Sequence, residues 1–253
     1  MVMKVSRRAL IVGGSRGLGA EITLRLVNKG YTVTVLSRTK GELTTVEPLS
    51  SGRLSHRYLD FVDPQNVQNF IATNATDLEN MDVVVNNLGG NLEERNPLAD
   101  YSSFQRVMWH NFGYVVEINK KCIEGMIRRK EGKICNVSSV SAIENHGAPQ
   151  YGAAKAALNV YTKGVGRFLA KHGVTMFGVM PGAIMDNSGY WARIKADNAD
   201  HFNNFRNSLL PSGSLESATS IANLIFFVLN ESDSLPYAGS NILIDGGIAR
   251  TYS

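Results

Sequence analysis

The sequence contains no run of apolar residues near the roughly 18 that a membrane-spanning helix needs; its longest candidate, Ile221 to Leu229, is far too short. Met1 to Arg8 runs directly into a strand-like segment, without the apolar stretch and small-residue cleavage site of a secreted chain. These absences lead to the expectation of a cytoplasmic protein that has no business with a membrane. Cysteine is scarce: only Cys122 and Cys135 occur, each among apolar neighbours. A chain of 253 residues builds a core without a disulfide, so both read as small buried hydrophobes. The five histidines show no paired ligand spacing, which argues against a metal site. An excess of one charge is missing too. The net charge of +4 is mild, and the densest basic run, Arg128-Arg129-Lys130 with Lys133, closes a predicted helix, where cations meet the negative end of the macrodipole. A nucleic-acid partner is therefore not expected. No repeat, low-complexity tract or linker interrupts the chain, which points to one domain over residues 1–253.

What is present is an alternation. Short β-branched runs at Ala9 to Val12, Thr32 to Leu36, Val83 to Val85, Lys133 to Val137, Val174 to Val179 and Ile242 to Ile244 are apolar throughout, as strands buried on both faces must be. His56 to Leu59 is a weaker seventh. Between them lie helix-length segments: Leu18 to Asn28, Pro64 to Thr76, Tyr101 to Arg129, Tyr151 to Lys171 and Glu216 to Leu229. This order predicts an α/β fold, a doubly wound Rossmann-type domain with about seven parallel strands and right-handed crossovers. One segment, about residues 183–213, breaks the rhythm; its length and its Tyr190-Trp191 pair mark it as a substrate loop.

The first strand ends in Gly13-Gly14-Ser15-Arg16-Gly17-Leu18-Gly19 and a helix follows at once. Glycine permits the tight turn and lets backbone N–H groups approach a pyrophosphate, while the helix N-terminus supplies unpaired donors and a positive dipole end. At the end of the second strand, where an acidic residue would bind the ribose 2′-hydroxyl of NAD, the chain has Ser37-Arg38. A hydroxyl and a guanidinium suit a 2′-phosphate, and Arg16 adds a second cation, so NADP is the expected cofactor.

Tyr151 and Lys155 stand one helical turn apart, on one face of their helix. A phenol titrates near 10, too high for proton transfer at neutral pH, and an adjacent ammonium would lower it. The pair follows the strand ending in Ser138-Ser139, at the sheet edge where open α/β folds bind ligands. A serine hydroxyl there would polarise a carbonyl oxygen beside the phenol.

Together these motifs resemble the short-chain dehydrogenase/reductase family, in the roughly 250-residue branch similar to 3-oxoacyl-carrier-protein reductases. The resemblance spans the chain through Gly13-x-x-x-Gly17-x-Gly19, Asp60, Asn86-Asn87-Leu88-Gly89, Asn111, Asn136-Val-Ser-Ser139, Tyr151-x-x-x-Lys155, Pro181-Gly182 and Asp245-Gly246-Gly247. It implies an NADP-dependent enzyme that moves a hydride between the nicotinamide and a carbonyl or secondary alcohol. In that pattern Tyr151 is the general acid or base, Lys155 holds the nicotinamide ribose, Ser139 steadies the substrate oxygen, and Asn111 supports a water that relays protons. Asp60 and Phe61 would meet the adenine, Asn87 and Gly89 would line the cofactor, and Pro181, Gly182 and Ile184 would flank the nicotinamide. The family habit also implies a homo-oligomer, a tetramer or dimer, through the helices beginning at Tyr101 and Tyr151.

The chain departs from the pattern at Val12, at Leu88, and at Asp186, where threonine is expected. Ser139 lies 12 residues before Tyr151 where the family has 13, which leaves Ser138 as an alternative partner. Asn91, Glu94, His146 and Asn187 stand near the expected pocket mouth and favour a polar substrate; Arg95 is a further candidate there, while His110 and His172 read as structural. Two other functions fit the fold: a lyase or isomerase such as a sugar dehydratase or epimerase, and a non-catalytic dinucleotide sensor. The epimerases that resemble the family carry a separate C-terminal substrate region, and a sensor would be expected to lack Tyr151 or Lys155; this chain has both.

Overall fold

Residues 6–46, 51–144, 146–186 and 189–251 are described by the computed structural model. The apolar runs become strands: β1 (Arg8–Val12), β2 (Thr32–Ser37), β3 (Leu54–Tyr58), β4 (Val83–Asn86), β5 (Gly132–Val137) and β6 (Val174–Pro181), with β7 (Ile184–Met185), β8 (Glu216–Ser217) and β9 (Asn241–Ile244) after them. Seven form one parallel sheet in the order β3-β2-β1-β4-β5-β6-β9, and β7 pairs with β8 in a small second sheet. The weak seventh strand lies two residues earlier than expected at its start.

Alternation along each strand divides the core in two. Ala9, Ile11, Val33, Val35, Val83 and Val85 face one way, onto α1 (Gly17–Asn28) and α10 (Ala218–Asn230). Leu10, Val12, Leu36, Val84 and Ile134 face the other way, onto α3 (Pro64–Thr73), α6 (Tyr114–Arg129) and α7 (Pro149–Ala170). The central strands are thus covered on both faces, the condition under which a parallel sheet is stable, while the edge strand β3 stays largely exposed. Cys122 and Cys135 are buried free thiols, and burial pushes Cys122 up to about 12.

Several helix expectations need correction. The stretch Tyr101 to Arg129 is not one α-helix: α5 (Tyr101–Met108) passes through a π-turn, Trp109–Gly113, into α6. The stretch Pro64 to Thr76 breaks at Asn74, where side-chain and backbone bonds to Phe70 close α3 and the short helix Ala75–Glu79 begins. The last long helix starts at Ala218 because the Ser217 side chain caps it, accepting from Ser220 N. The supposed loop 183–213 contains two helices, Tyr190–Asp197 and Ala199–Leu209. Trp191 stacks on Phe205 at 3.9 Å, and a small cluster of Ala183, Leu210 and Ile248 seats this excursion. Among the described residues no helix is long and apolar enough to cross a membrane.

Candidate active site

The order of strands reverses at β1, so the turns after β1 and β4 separate at the C-terminal edge and leave a crevice between them. Gly13 forms its wall. It holds φ +76°, and a Cβ there would lie 2.8 Å from Leu88 N, so only glycine fits both the conformation and the approach. Asn87 Nδ2 donates to the Gly13 carbonyl at 2.8 Å and ties the two turns together. A Cβ on Gly19 would collide with the same carbonyl, which lets α1 begin directly under the turn. Ser15 is buried, and its carbonyl accepts from Glu42 N at 2.8 Å. Leu18 packs into the core, so any contribution to a phosphate is confined to its backbone.

At the end of β2 the Arg16 side chain lies against Gly41, and Arg38 is exposed. Ser37 is differently engaged. Its hydroxyl donates to the Thr39 carbonyl at 2.7 Å, and His56 Nε2 stands 2.9 Å away. A hydroxyl has one proton, so His56 is the donor in that second bond and Ser37 keeps only lone pairs. Asp60 sits half-buried beyond β3, and its carboxylate accepts from Val62 N at 3.1 Å. Phe61 is a packing residue: its ring meets Tyr114 edge-on at 5.1 Å, and its carbonyl accepts from Trp109 Nε1.

Across the crevice, α7 carries Tyr151 and Lys155 beside the end of β5. The buried Lys155 Nζ donates to the Val137 carbonyl at 2.9 Å and lies 5.6 Å from the centre of the Tyr151 ring. Ser139 Oγ accepts from Ser141 N at 3.1 Å and stands near enough to the Tyr151 phenol to favour its ionised form. Ser138 instead donates to the Lys155 carbonyl at 3.2 Å. Of the two serines, then, Ser139 faces the phenol. Burial raises the Tyr151 pKa, with the Ser139 bond opposing it, and burial pulls Lys155 down to about 7. The residue Tyr151 keeps some surface, yet desolvation governs its phenol.

Asn111 occupies the π-turn. Its amide donates to the Gly90 and Val107 carbonyls, both at 2.8 Å, and its oxygen accepts from Gly90 N at 2.9 Å. The turn inserts one residue into the helical ladder at Asn111, and π-turns recur at functional sites. Gly89 lies between: a Cβ there would be 2.6 Å from Asn111 Oδ1 and 2.9 Å from Lys155 Nζ. Pro181 and Gly182 end β6, and Gly182 N donates to the Ile244 carbonyl at 2.9 Å; Ile184 follows, half-buried.

Sequence reasoning missed two features. His110 is 5% exposed, and its Nδ1 is buried with no hydrogen-bond partner among the described residues. Burial, then the charges of Arg38 and Lys155, hold it down to about 4, against the opposing charge of Asp60. It therefore lies within the field of Arg38, Lys155 and Asp60. The signal was its position beside Asn111. The second feature is Glu42, whose carboxylate accepts from Gly17 N at 3.2 Å.

The pocket-mouth residues separate. Glu94 accepts from Ser103 Oγ and Asn96 N, and Asn91 accepts from Glu93 N, so both hold their own loop. Arg95 lies 5.9 Å over the Tyr190 ring. His146, with a buried Nε2 that has no partner among the described residues, lines two adjoining cavities of about 280 and 490 Å3. The larger also has Glu144, Asn207, Ser208 and Arg250 in its wall. Asn187 lies outside the described residues. Among those residues no group of three His, Cys, Asp or Glu side chains is placed to hold a metal.

Comparison with known proteins agrees with this geometry. A family model described as short chain dehydrogenase matches residues 7–197. The 3-oxoacyl-(acyl-carrier-protein) reductase FabG of Staphylococcus aureus is 30% identical over 97% of this chain and 99% of its own. The gluconate 5-dehydrogenase of Gluconobacter oxydans is 27% identical over 95% and 94%. Among solved structures, L-sorbose reductase of Gluconobacter frateurii, complexed with NADPH and L-sorbose, covers 100% of both chains at 22% identity with a TM-score of 0.85.

Proposed function

The chain belongs to the short chain dehydrogenase family, and on that premise we propose that it is an NADP(H)-dependent oxidoreductase acting on a carbonyl or secondary alcohol. The observation that carries this reading is the grouping of Ser139, Tyr151 and Lys155 at the end of β5, facing the glycine turn of β1 across the crevice. Gly13, Ser15 and Gly17 would cradle the pyrophosphate, Arg16 and Arg38 the 2′-phosphate, and Lys155 the nicotinamide ribose. The NADPH bound by the sorbose reductase supports this cofactor choice. When bound, the nicotinamide supplies or accepts the hydride.

The protein's own part is proton transfer. Because burial raises the Tyr151 pKa, its phenol is protonated at neutral pH and is set to give its proton to a carbonyl oxygen. Ser139, beside that phenol, would hydrogen-bond to the same oxygen and hold it in place while keeping its own proton. Lys155, near 7, passes between charged and neutral forms around physiological pH and can refill the phenol. In the alcohol-to-carbonyl direction the same groups run in reverse. The substrate is a polar carbonyl or alcohol compound, a preference supported by the polar wall of His146, Asn207, Ser208 and Arg250 and by the gluconate and sorbose relatives. The partner is a second copy of this chain.

A carbonyl panel including keto sugars and acyl thioesters, followed by NADPH absorbance, tests the reading. Turnover is expected on polar ketones, and Tyr151→Phe should lower it by roughly two to four orders of magnitude while NADPH binding persists. Full activity in that variant would remove the phenol from the mechanism.

A further inference from the structure

The N-terminus of α1 already faces negative charge. Gly17 N donates to Glu42 Oε1 at 3.2 Å. From the far side, a Cβ on Gly17 would fall inside the Asp186 carboxylate, with Cγ only 2.9 Å away. Asp186 therefore lies directly against a glycine that holds φ +50°. Two carboxylates from separate parts of the chain thus meet the first residue of a helix whose dipole and unpaired N–H groups favour an anion. Glu42 comes from the loop after β2, held by its own N–H on the Ser15 carbonyl. Asp186 follows β7 and opens the substrate excursion. Its other oxygen accepts from Gly189 N, and the next residue, Tyr190, starts a helix under the Arg95 guanidinium.

We propose that Asp186 and Glu42 are internal stand-ins for phosphate: they occupy the cradle in the cofactor-free protein, and a dinucleotide's pyrophosphate must evict Asp186 to bind. The proposal rests on reading the glycine turn as the dinucleotide site. A pyrophosphate brings two further negative charges against the same glycine, and Coulomb repulsion at contact distance opposes all four remaining there. Eviction releases Gly189 and the start of the Tyr190 helix, so the arrival of the cofactor resets the segment that selects the substrate. Apparent cofactor affinity is then lowered by the fraction of molecules in which the cradle is self-occupied. The aspartate at this place acts as a positioning residue, not a catalytic one.

Isothermal titration with NADPH and, separately, with ADP tests this on the full chain. Asp186→Asn keeps an acceptor for Gly189 N and removes only the charge. It should bind both ligands roughly three- to thirty-fold tighter than wild type, the range that one carboxylate at a helix N-terminus can supply. Asp186→Thr and Glu42→Gln should move affinity the same way. Hydrogen exchange provides the structural arm: NADPH should speed exchange at Gly189 in wild type and leave it unchanged in Asp186→Asn, whose neutral side chain is not repelled by the pyrophosphate and keeps its bond to Gly189 N. Wild-type affinity in all three variants would overturn the proposal, as would a gain for NADPH without one for ADP, which would put Asp186 at the nicotinamide end. If wild type binds neither ligand, the dinucleotide reading fails together with this one; if it binds NADPH and the variants bind it no better, only this inference fails.

Discussion

Lys155 Nζ sits where water does not reach, and desolvation has brought its pKa from 10.5 to about 7. The consequence for stability has a definite sign. Between pH 7 and 10.5 the unfolded chain binds a proton that the native chain has lost, so native stability rises with pH across that window. Below 7 both states carry the charge, and the full cost of burying it is paid. Lys155→Met should therefore be more heat-stable than wild type by a margin that is largest at or below pH 7 and shrinks toward pH 10; a pH series of melting curves without cofactor shows it. At the 2′-phosphate end, Ser37 has its proton on Thr39, which leaves Arg38 with Arg16 as the discriminating groups. Arg38→Asp should weaken NADPH at least tenfold while NADH changes little. Equal loss for both cofactors in a titration would undo that assignment. The two arginines were legible as letters beside a strand and a turn. The state of Ser37 was not, because its partner His56 lies on another strand.

At the scale of elements, the π-turn Trp109–Gly113 carries the most information. A π-turn adds one residue to the helical ladder and so rotates the side chains that follow it away from the register of a straight α-helix. From its place in the turn the Asn111 amide bonds both the Val107 and the Gly90 carbonyls, joining the helix to the loop after β4. Tyr114 Oη reinforces the joint by donating to the Leu88 carbonyl at 2.8 Å. Asn111→Leu fills similar volume but strands buried groups of Gly90 and Val107, at about 1–3 kcal/mol each. A loss of roughly 2–4 kcal/mol in urea unfolding is expected, with faster exchange of the Gly90 amide; retained protection there would show that the loop is held elsewhere. Apolar periodicity covers α5 and α6 alike, so sequence reading joined them into one helix. It has no marker for an extra residue in the ladder.

For the molecule as a whole, the outer face of α7 carries exposed apolar side chains. Val160 is 74% exposed and Phe168, two turns on, is 51% exposed, while the inner face of the same helix is fully packed. Tyr101, at 75%, adds to the exposed apolar surface from α5, which packs beside α7. Apolar side chains of this size in one stripe are expected to be covered by another chain. Val160→Asp with Phe168→Asp should convert the proposed homo-oligomer into smaller species in size-exclusion chromatography with light scattering. A wild-type protein that already runs as a monomer would contradict the assembly.

What the residues determined alone is whatever depends on near neighbours in the chain. Strand alternation, the glycine turn into α1 and the one-turn spacing of Tyr151 and Lys155 are short-range geometry, and each is found where the spacing put it. The choice of Ser139 over Ser138 needed α7 to be folded against β5, since the Lys155 carbonyl claims the other hydroxyl. The titration of Lys155 and His110, the meeting of Asp186 with Gly17, and the orphaned nitrogens of His110 and His146 likewise arise only in the packed state. Desolvation and through-space charge depend on what lies within a few ångströms in three dimensions, and that is not a function of sequence separation.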